Sequence, residues 1–180
     1  MHSFTTERLL IRPLAEQDKE LYLSLYTNAK IMRHIGTPFT VEVAEQAFSK
    51  TIRAMNKPNP TVMTWAIVSL TTEKTIGIQA LNRQSKDSAE IGIMLLRVSN
   101  GKLIPEEAMG SLMEYGFNQL NLQSIIAHYA KVNLATKRFV KKLGFIPTTT
   151  VQPLTESQCV QYISKKLWNK YFIKKFTGEC

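Results

Sequence analysis

Residues 90–120 read EIGIMLLRVSNGKLIPEEAMGSLMEYGFNQL, and the order of patterns in this stretch decides the fold. An apolar run of strand character, EIGIMLL, passes through a short polar turn into MGSLMEYGFNQL, whose apolar residues fall at helical spacing. A strand that turns directly into a helix leaves the first helical N–H groups unpaired at the positive end of the helix dipole, a ready site for an anion. The turn, NGKLIPEEA at 100–108, has a complete local reading as well. Asn100-Gly101 makes a tight turn, Pro105 suits the first helical position because its missing N–H is unpaired there anyway, and Glu106 and Glu107 complement the dipole.

Working outward, the residues before this stretch read as one strand, two helices and a meander. ERLLIRPL alternates as a first strand. AEQDKELYLSLYTNA and VEVAEQAFSKTIRAM follow with helical spacing, and NKPNP ends the second. VMTWAIVSL, TIGIQALN and AEIGIMLLR are β-rich runs separated by polar turns. After the helix from about Pro105 to Leu120 come a strand SIIAHYA, a helix NLATKRFVKKL and two final strands around FIPTTTV and CVQYISKKL. The order is α/β (α+β), in a single domain over residues 5–168 followed by a basic tail, 169–180.

Composition narrows the partners. The net charge of +9 is uneven: residues 1–130 carry 13 Lys and Arg against 12 Asp and Glu, and residues 131–180 carry 10 against 2. Such a bias suits a polyanion, whether a phosphorylated cofactor or RNA on a ribosome, and suits equally a solvated lysine-rich surface. Two cysteines, Cys159 and Cys180, offer neither a disulfide framework nor metal spacing, so no metal is expected. No run reaches the roughly 20 apolar residues of a membrane span, and the start lacks a signal-peptide pattern. The expectation is a cytoplasmic protein without membrane contact, monomer or homodimer. No GxSxG, HExxH or GxxxxGK[ST] occurs, so serine hydrolase, zinc protease and P-loop chemistries have no support. Of the histidines, His128 in a strand reads as a hydrogen-bonded structural residue, and His34, beside Gly36 in a loop, as the better pocket candidate.

Three segments together, TTERLLIRPL, the stretch from Ala89 to His128, and NLATKRFVKKLGF, resemble the GNAT superfamily of N-acetyltransferases, in particular the branch that acetylates ribosomal-protein N-termini. The resemblance implies a twisted, mixed, mostly antiparallel sheet of about seven strands flanked by about four helices. It also implies that two strands splay apart and hold acetyl-CoA between them. The family's phosphate loop has Arg or Gln, then Gly, then Gly or Ala where this chain has Asn100, Leu103 and Pro105, while Gly101 and Lys102 are kept. By the resemblance, residues Asn100, Gly101, Lys102, Leu103 and Ile104 hold the pyrophosphate. Losing one charge-assisted N–H bond there costs about 1.5–3 kcal/mol, so weakened binding is expected, with Leu103 the larger obstacle to close backbone approach.

The same resemblance gives backbone N–H groups at Leu95 and Leu96 to the thioester and pantetheine, Asn133 to the pantetheine arm, and Thr136 to the sulfur. One basic residue among Lys137, Arg138, Lys141 and Lys142 would meet the 3′-phosphate. Locally, Asn133 also caps a helix whose buried face is Ala135, Phe139 and Leu143, and Gly144 ends it. The family's tyrosine on this helix is replaced by Val140. Glu90 is the candidate general base and Thr136 the candidate acid at the leaving thiolate, with Glu156 an alternative base. The amine acceptor is expected to be a protein or peptide N-terminus, whose α-amine is neutral far more readily than lysine. A small amine, such as a polyamine or an aminoglycoside, is the second reading, and a non-catalytic CoA- or ribosome-binding module the third.

Overall fold

The computed structural model describes residues 1–97, 103–149, 151, 153 and 155–177. One nine-stranded sheet runs in the order β7-β8-β6-β5-β4-β3-β2-β1-β9. Strands β1 (Ser3–Thr5) and β2 (Leu9–Pro13) lead into a short 3-10 turn and helices α1 (Lys19–Tyr26), α2 (Ala29–Met32) and α3 (Val41–Met55). The meander β3 (Val62–Ser69), β4 (Thr75–Arg83) and β5 (Ser88–Leu95) forms the centre. Helix α4 (Ile104–Asn118), β6 (Ser124–Ala130), α5 (Leu134–Leu143), β7 (Ile146–Pro147), β8 (Gln158–Ser164) and β9 (Lys175–Thr177) complete the chain. The twisted mixed sheet flanked by helices is the expected architecture, with two short strands, β1 and then β9, added beyond β2.

Two apolar layers sandwich the sheet. Leu14, Tyr22, Leu25, Met32 and Phe48 from the α1–α3 side pack on Ala66, Ile78 and Met94. On the other face Met109, Leu112 and Met113 of α4 and Phe139 and Leu143 of α5 pack on Trp65, Leu81, Ile91 and Ile125. Where one helix was expected over 15–29, Asn28 interrupts it. Its side chain accepts from the N–H groups of Lys30 and Ile31, starting α2 as a separate turn.

Helix α4 departs from its amphipathic reading. Every residue from Glu107 to Phe117 is buried. Such all-round burial needs a cover on the outer face, and the C-terminal segment supplies it. Phe172 lies so close over Gly110 that a Cβ there would run into its ring, and Trp168 packs near Phe117. The buried carboxylate of Glu114 accepts from the N–H groups of Phe172 (2.6 Å) and Ile173 (3.0 Å). Strand β9 then pairs antiparallel with β1. The run 169–180, read as a tail after the domain, therefore belongs to the sheet and core through Thr177. Its lysines punctuate a segment whose aromatic residues, not its charges, fix its position.

Candidate active site

Strands β5 and β6 are the one parallel pair among the described strands, and their pairing covers only Ser88–Glu90 against Ser124–Ile126. Both continue beyond it, β5 to Leu95 on β4 and β6 to Ala130 on β8. Each is held by its outer neighbour, so they part and open a cleft of about 890 Å³. Hydrogen-bond alternation decides which backbone groups face it. Leu96 donates its N–H to Ile76 O at 2.8 Å, so in the regular antiparallel ladder the N–H and C=O groups of Leu95 and Ile93 point away from β4, toward the opening. Of the two expected donors, Leu95 is available to a ligand and Leu96 is committed to β4.

Glu90 stands where the strands separate. Its Oε1 lies 3.2 Å from His128 Nδ1, with side chains 29% and 11% exposed. Glu90 pairs with Ile126 in register, so His128, two residues on, shares its face of the sheet. Neither ring nitrogen of His128 has an aligned hydrogen bond among the described residues, so the polar contact of this expected structural residue is its approach to Glu90. Gln79 Nε2 and Oε1 and Gln158 Oε1 are likewise buried without hydrogen-bond partners among the described residues, and both residues line the cleft. Buried polar atoms are normally paired, so their concentration here marks a surface built for a ligand. Burial beside Tyr22 pushes the Tyr26 hydroxyl well above its ordinary pKa, leaving it a neutral donor in the wall.

The remaining candidates separate by element. Asn133 and Thr136 line the cleft, but Asn133 Oδ1 accepts from Thr136 N–H at 3.2 Å, so the cap uses that oxygen and leaves the amide nitrogen for a ligand. Helical phase divides the basic cluster. Arg138 and Lys142 line the cleft, whereas Lys137, proposed for the 3′-phosphate, is exposed and outside the wall, as is Lys141. Glu156 is exposed and away from the cleft, whereas Glu90 and Glu106 line it. His34 does line it, with Lys30 and Arg33.

At the start of α4, Leu103 occupies the left-handed region at φ 63°, with Ile104 the first helical residue and Pro105 the second. The helix bond Glu107 N–H to Leu103 O (3.0 Å) leaves the first-turn N–H groups of Ile104 and Glu106 outside the ladder. Asn100, Gly101 and Lys102 lie outside the described residues. The glutamates do not act as a pair repelling an anion. Glu106 Oε1 faces Lys142 Nζ at 3.4 Å. Glu107 turns inward, accepting from Thr6 Oγ1 (2.6 Å), Arg8 N–H (2.9 Å) and Arg8 Nε (2.7 Å).

Parted strands opening beside the start of a helix, over a carboxylate, define a class of enzyme that binds an acyl thioester in the gap and passes its acyl group to an amine. The chain belongs to the GNAT acetyltransferases: the family model described as Acetyltransferase (GNAT) domain matches residues 8–146. It is 30% identical over 145 residues, 78% of this chain and 80% of the relative, to the uncharacterized N-acetyltransferase YoaA of Bacillus subtilis. The fold is shared with a spermidine N-acetyltransferase of Vibrio cholerae solved with CoA and spermine (TM-score 0.74, 21% identity, 88% of this chain and 96% of that one). It is shared equally with a ribosomal-protein alanine acetyltransferase of Vibrio fischeri (TM-score 0.73, 17% identity, 93% and 99%). The chain is thus an acyltransferase.

The family's cosubstrate is acetyl-CoA, and the residues present fit it. A pantetheine arm needs amide partners, which the outward backbone of Ile93 and Leu95 and the unpaired polar side chains supply, and its phosphates need cations, which Arg97, Arg138 and Lys142 bring to the same cleft. Among the described residues no His, Cys, Asp and Glu group could hold a metal, and no helix is long and apolar enough to cross a membrane.

Proposed function

We propose that this acetyltransferase modifies the α-amine of a peptide or protein N-terminus, with Glu90 as general base. The carrying observation is the approach of Glu90 to His128 at the point where β5 and β6 part. Bound along β5, acetyl-CoA supplies the activated acetyl group. Glu90 takes the proton released as the amine nitrogen forms its bond to the carbonyl carbon and the carbon–sulfur bond breaks, and His128 steadies the carboxylate. Leu95 N–H donates to the carbonyl oxygen as charge develops on it. Thr136 and the amide of Asn133 meet the sulfur and the arm from the opposite wall.

Charge supports a peptide over a polyamine. Lys30, Arg33 and His34 rim the cleft beside α1, and none has a carboxylate partner among the described ion pairs. A polycation would meet like charge there, whereas a peptide presents one amine and a neutral or acidic remainder. Initial rates with N-terminal peptides and with spermidine decide it. Peptide turnover well above spermidine turnover is expected, and the reverse ratio would transfer the assignment to small amines.

A further inference from the structure

Lys30 of α2 and Arg33 and His34 just after it stand at spacings of three and four, so they share one side of a helical turn, and all three line the cleft. Met32, on the opposite side of that turn, is 2% exposed and packs with Ile78 and Met94 of the sheet. Burying the methionine therefore presents the three nitrogen-bearing side chains together. None of them has an ion-pair partner among the described residues. The other cations of the cleft belong to different elements, Arg97 following β5 and Arg138 and Lys142 on α5. The carboxylates in the wall, Glu90 and Glu106, face His128 and Lys142. The α2 turn is thus the part of the wall whose charge the chain itself leaves unmatched.

Between this turn and Glu90 the sheet offers a floor of small side chains. Thr64, Ala80 and Gly92 are in register across β3, β4 and β5, and all three line the cleft. A Cβ added at Gly92 would meet nothing within 4 Å. The next row on one side is Val62, Asn82 and Glu90, and on the other it is Ala66, Ile78 and Met94, where Met32 packs. Alternation puts the three rows on one face of the sheet. Glu90 and Met94 lie four residues apart on β5, about 13 Å, which an extended chain covers in about four residues. A chain with its α-amine at Glu90, running over this floor, brings its second to fourth side chains to Lys30, Arg33 and His34. The complement of unmatched cations is a carboxylate, and such pairing selects among ligands more than it tightens them. We propose that the acceptor N-terminus carries an acidic side chain within its first four residues, and that Lys30, Arg33 and His34 select it. This rests on the reading of the acceptor as a peptide or protein N-terminus.

The test measures steady-state acetylation by the full chain of octapeptides that share an N-terminal serine and carry aspartate, asparagine or lysine at the second to fourth positions, with spermidine alongside. The reacting amine is the same in all three peptides, so the comparison isolates the α2 turn. The aspartate peptide should exceed the asparagine peptide by roughly 5–30-fold in kcat/KM, the sum of a few solvent-exposed charge pairs, with the lysine peptide lowest. The difference should lie in KM and shrink as salt is raised. In the double variant Lys30→Glu, Arg33→Glu, both of whose positions are exposed, the order of the aspartate and lysine peptides should reverse. Equal turnover of the three peptides, or an order that the double variant leaves unaltered, would overturn the proposal while leaving the N-terminal acceptor in place. Turnover of spermidine with none of the peptides would overturn the N-terminal reading and the proposal with it.

Discussion

The two walls of the cleft are built from the same unit, a strand that turns into a helix, and they are made in opposite ways. The β6–α5 wall is local. Asn133 caps the helix with its own side chain, Phe139, Val140 and Leu143 bury one face while Ala135, expected in it, is exposed, and Gly144 leaves it at φ 94°, where glycine alone is unstrained. The β5–α4 wall is made by distant residues. Its helix has no side-chain cap, its first position follows a leucine at φ 63°, and its acidic first turn is anchored to Thr6 and Arg8 about a hundred residues earlier. A helix specified by its own sequence can be read from it, and one specified by its neighbours cannot.

Substitutions on the two walls should therefore differ in kind. The largest effect falls on chemistry. Glu90→Gln should lower turnover about 10²–10⁴-fold with acetyl-CoA affinity nearly unchanged, whereas Thr136→Val on the other wall should cost far less, because the thiolate leaves readily without an acid. Equal losses in steady-state rates would erase this asymmetry.

Next in size is the anchor of α4. Glu107→Ala removes a buried carboxylate and strands the hydroxyl of Thr6 and the N–H of Arg8. It should cost about 2–4 kcal/mol, or roughly 4–16 °C in melting temperature. Glu106→Ala, which breaks a pair with a largely exposed lysine, should cost under about 1 kcal/mol. Urea unfolding of both variants checks the ratio. If the two cost the same, α4 is not held from a distance.

Asn133→Ala on the local wall should cost about 0.5–2 kcal/mol, the ordinary value of a cap. It should also weaken CoA binding if its amide meets the arm. A loss of stability without any change in CoA affinity would confine Asn133 to capping.

The smallest effect is expected at Leu103. Glycine relieves a left-handed leucine but adds freedom to the unfolded chain, so Leu103→Gly should stabilise the free protein by no more than about 1 kcal/mol. It should also tighten acetyl-CoA binding by letting the backbone approach closely. Lowered stability would show that the strain is compensated by packing.

The sequence determined what depends on near neighbours. Helix α3 spans the VEVAEQAFSKTIRAM run, β6 is SIIAHYA, and the Asn133 cap, the Gly144 exit and the meander all follow from periodicity, capping and turn chemistry acting within a few residues. Asn28 as a cap splitting the first helix was open to the same rules, and His128 left a fainter signal as the polar member of a face shared with Ile126 and Ala130. The tertiary structure alone decided the rest. The register of β5 against β6 brings Glu90 to His128, and the ladder to β4 turns Leu95 outward while spending Leu96. Helical phase against the sheet admits Arg138 to the cleft and excludes Lys137. The segment from Phe172 to Thr177 is recruited because α4 has a second apolar face and a buried Glu114 awaiting two N–H donors. Each of these joins residues far apart in the chain, and local periodicity carries no information about which distant partner completes a hydrogen bond or covers an apolar face.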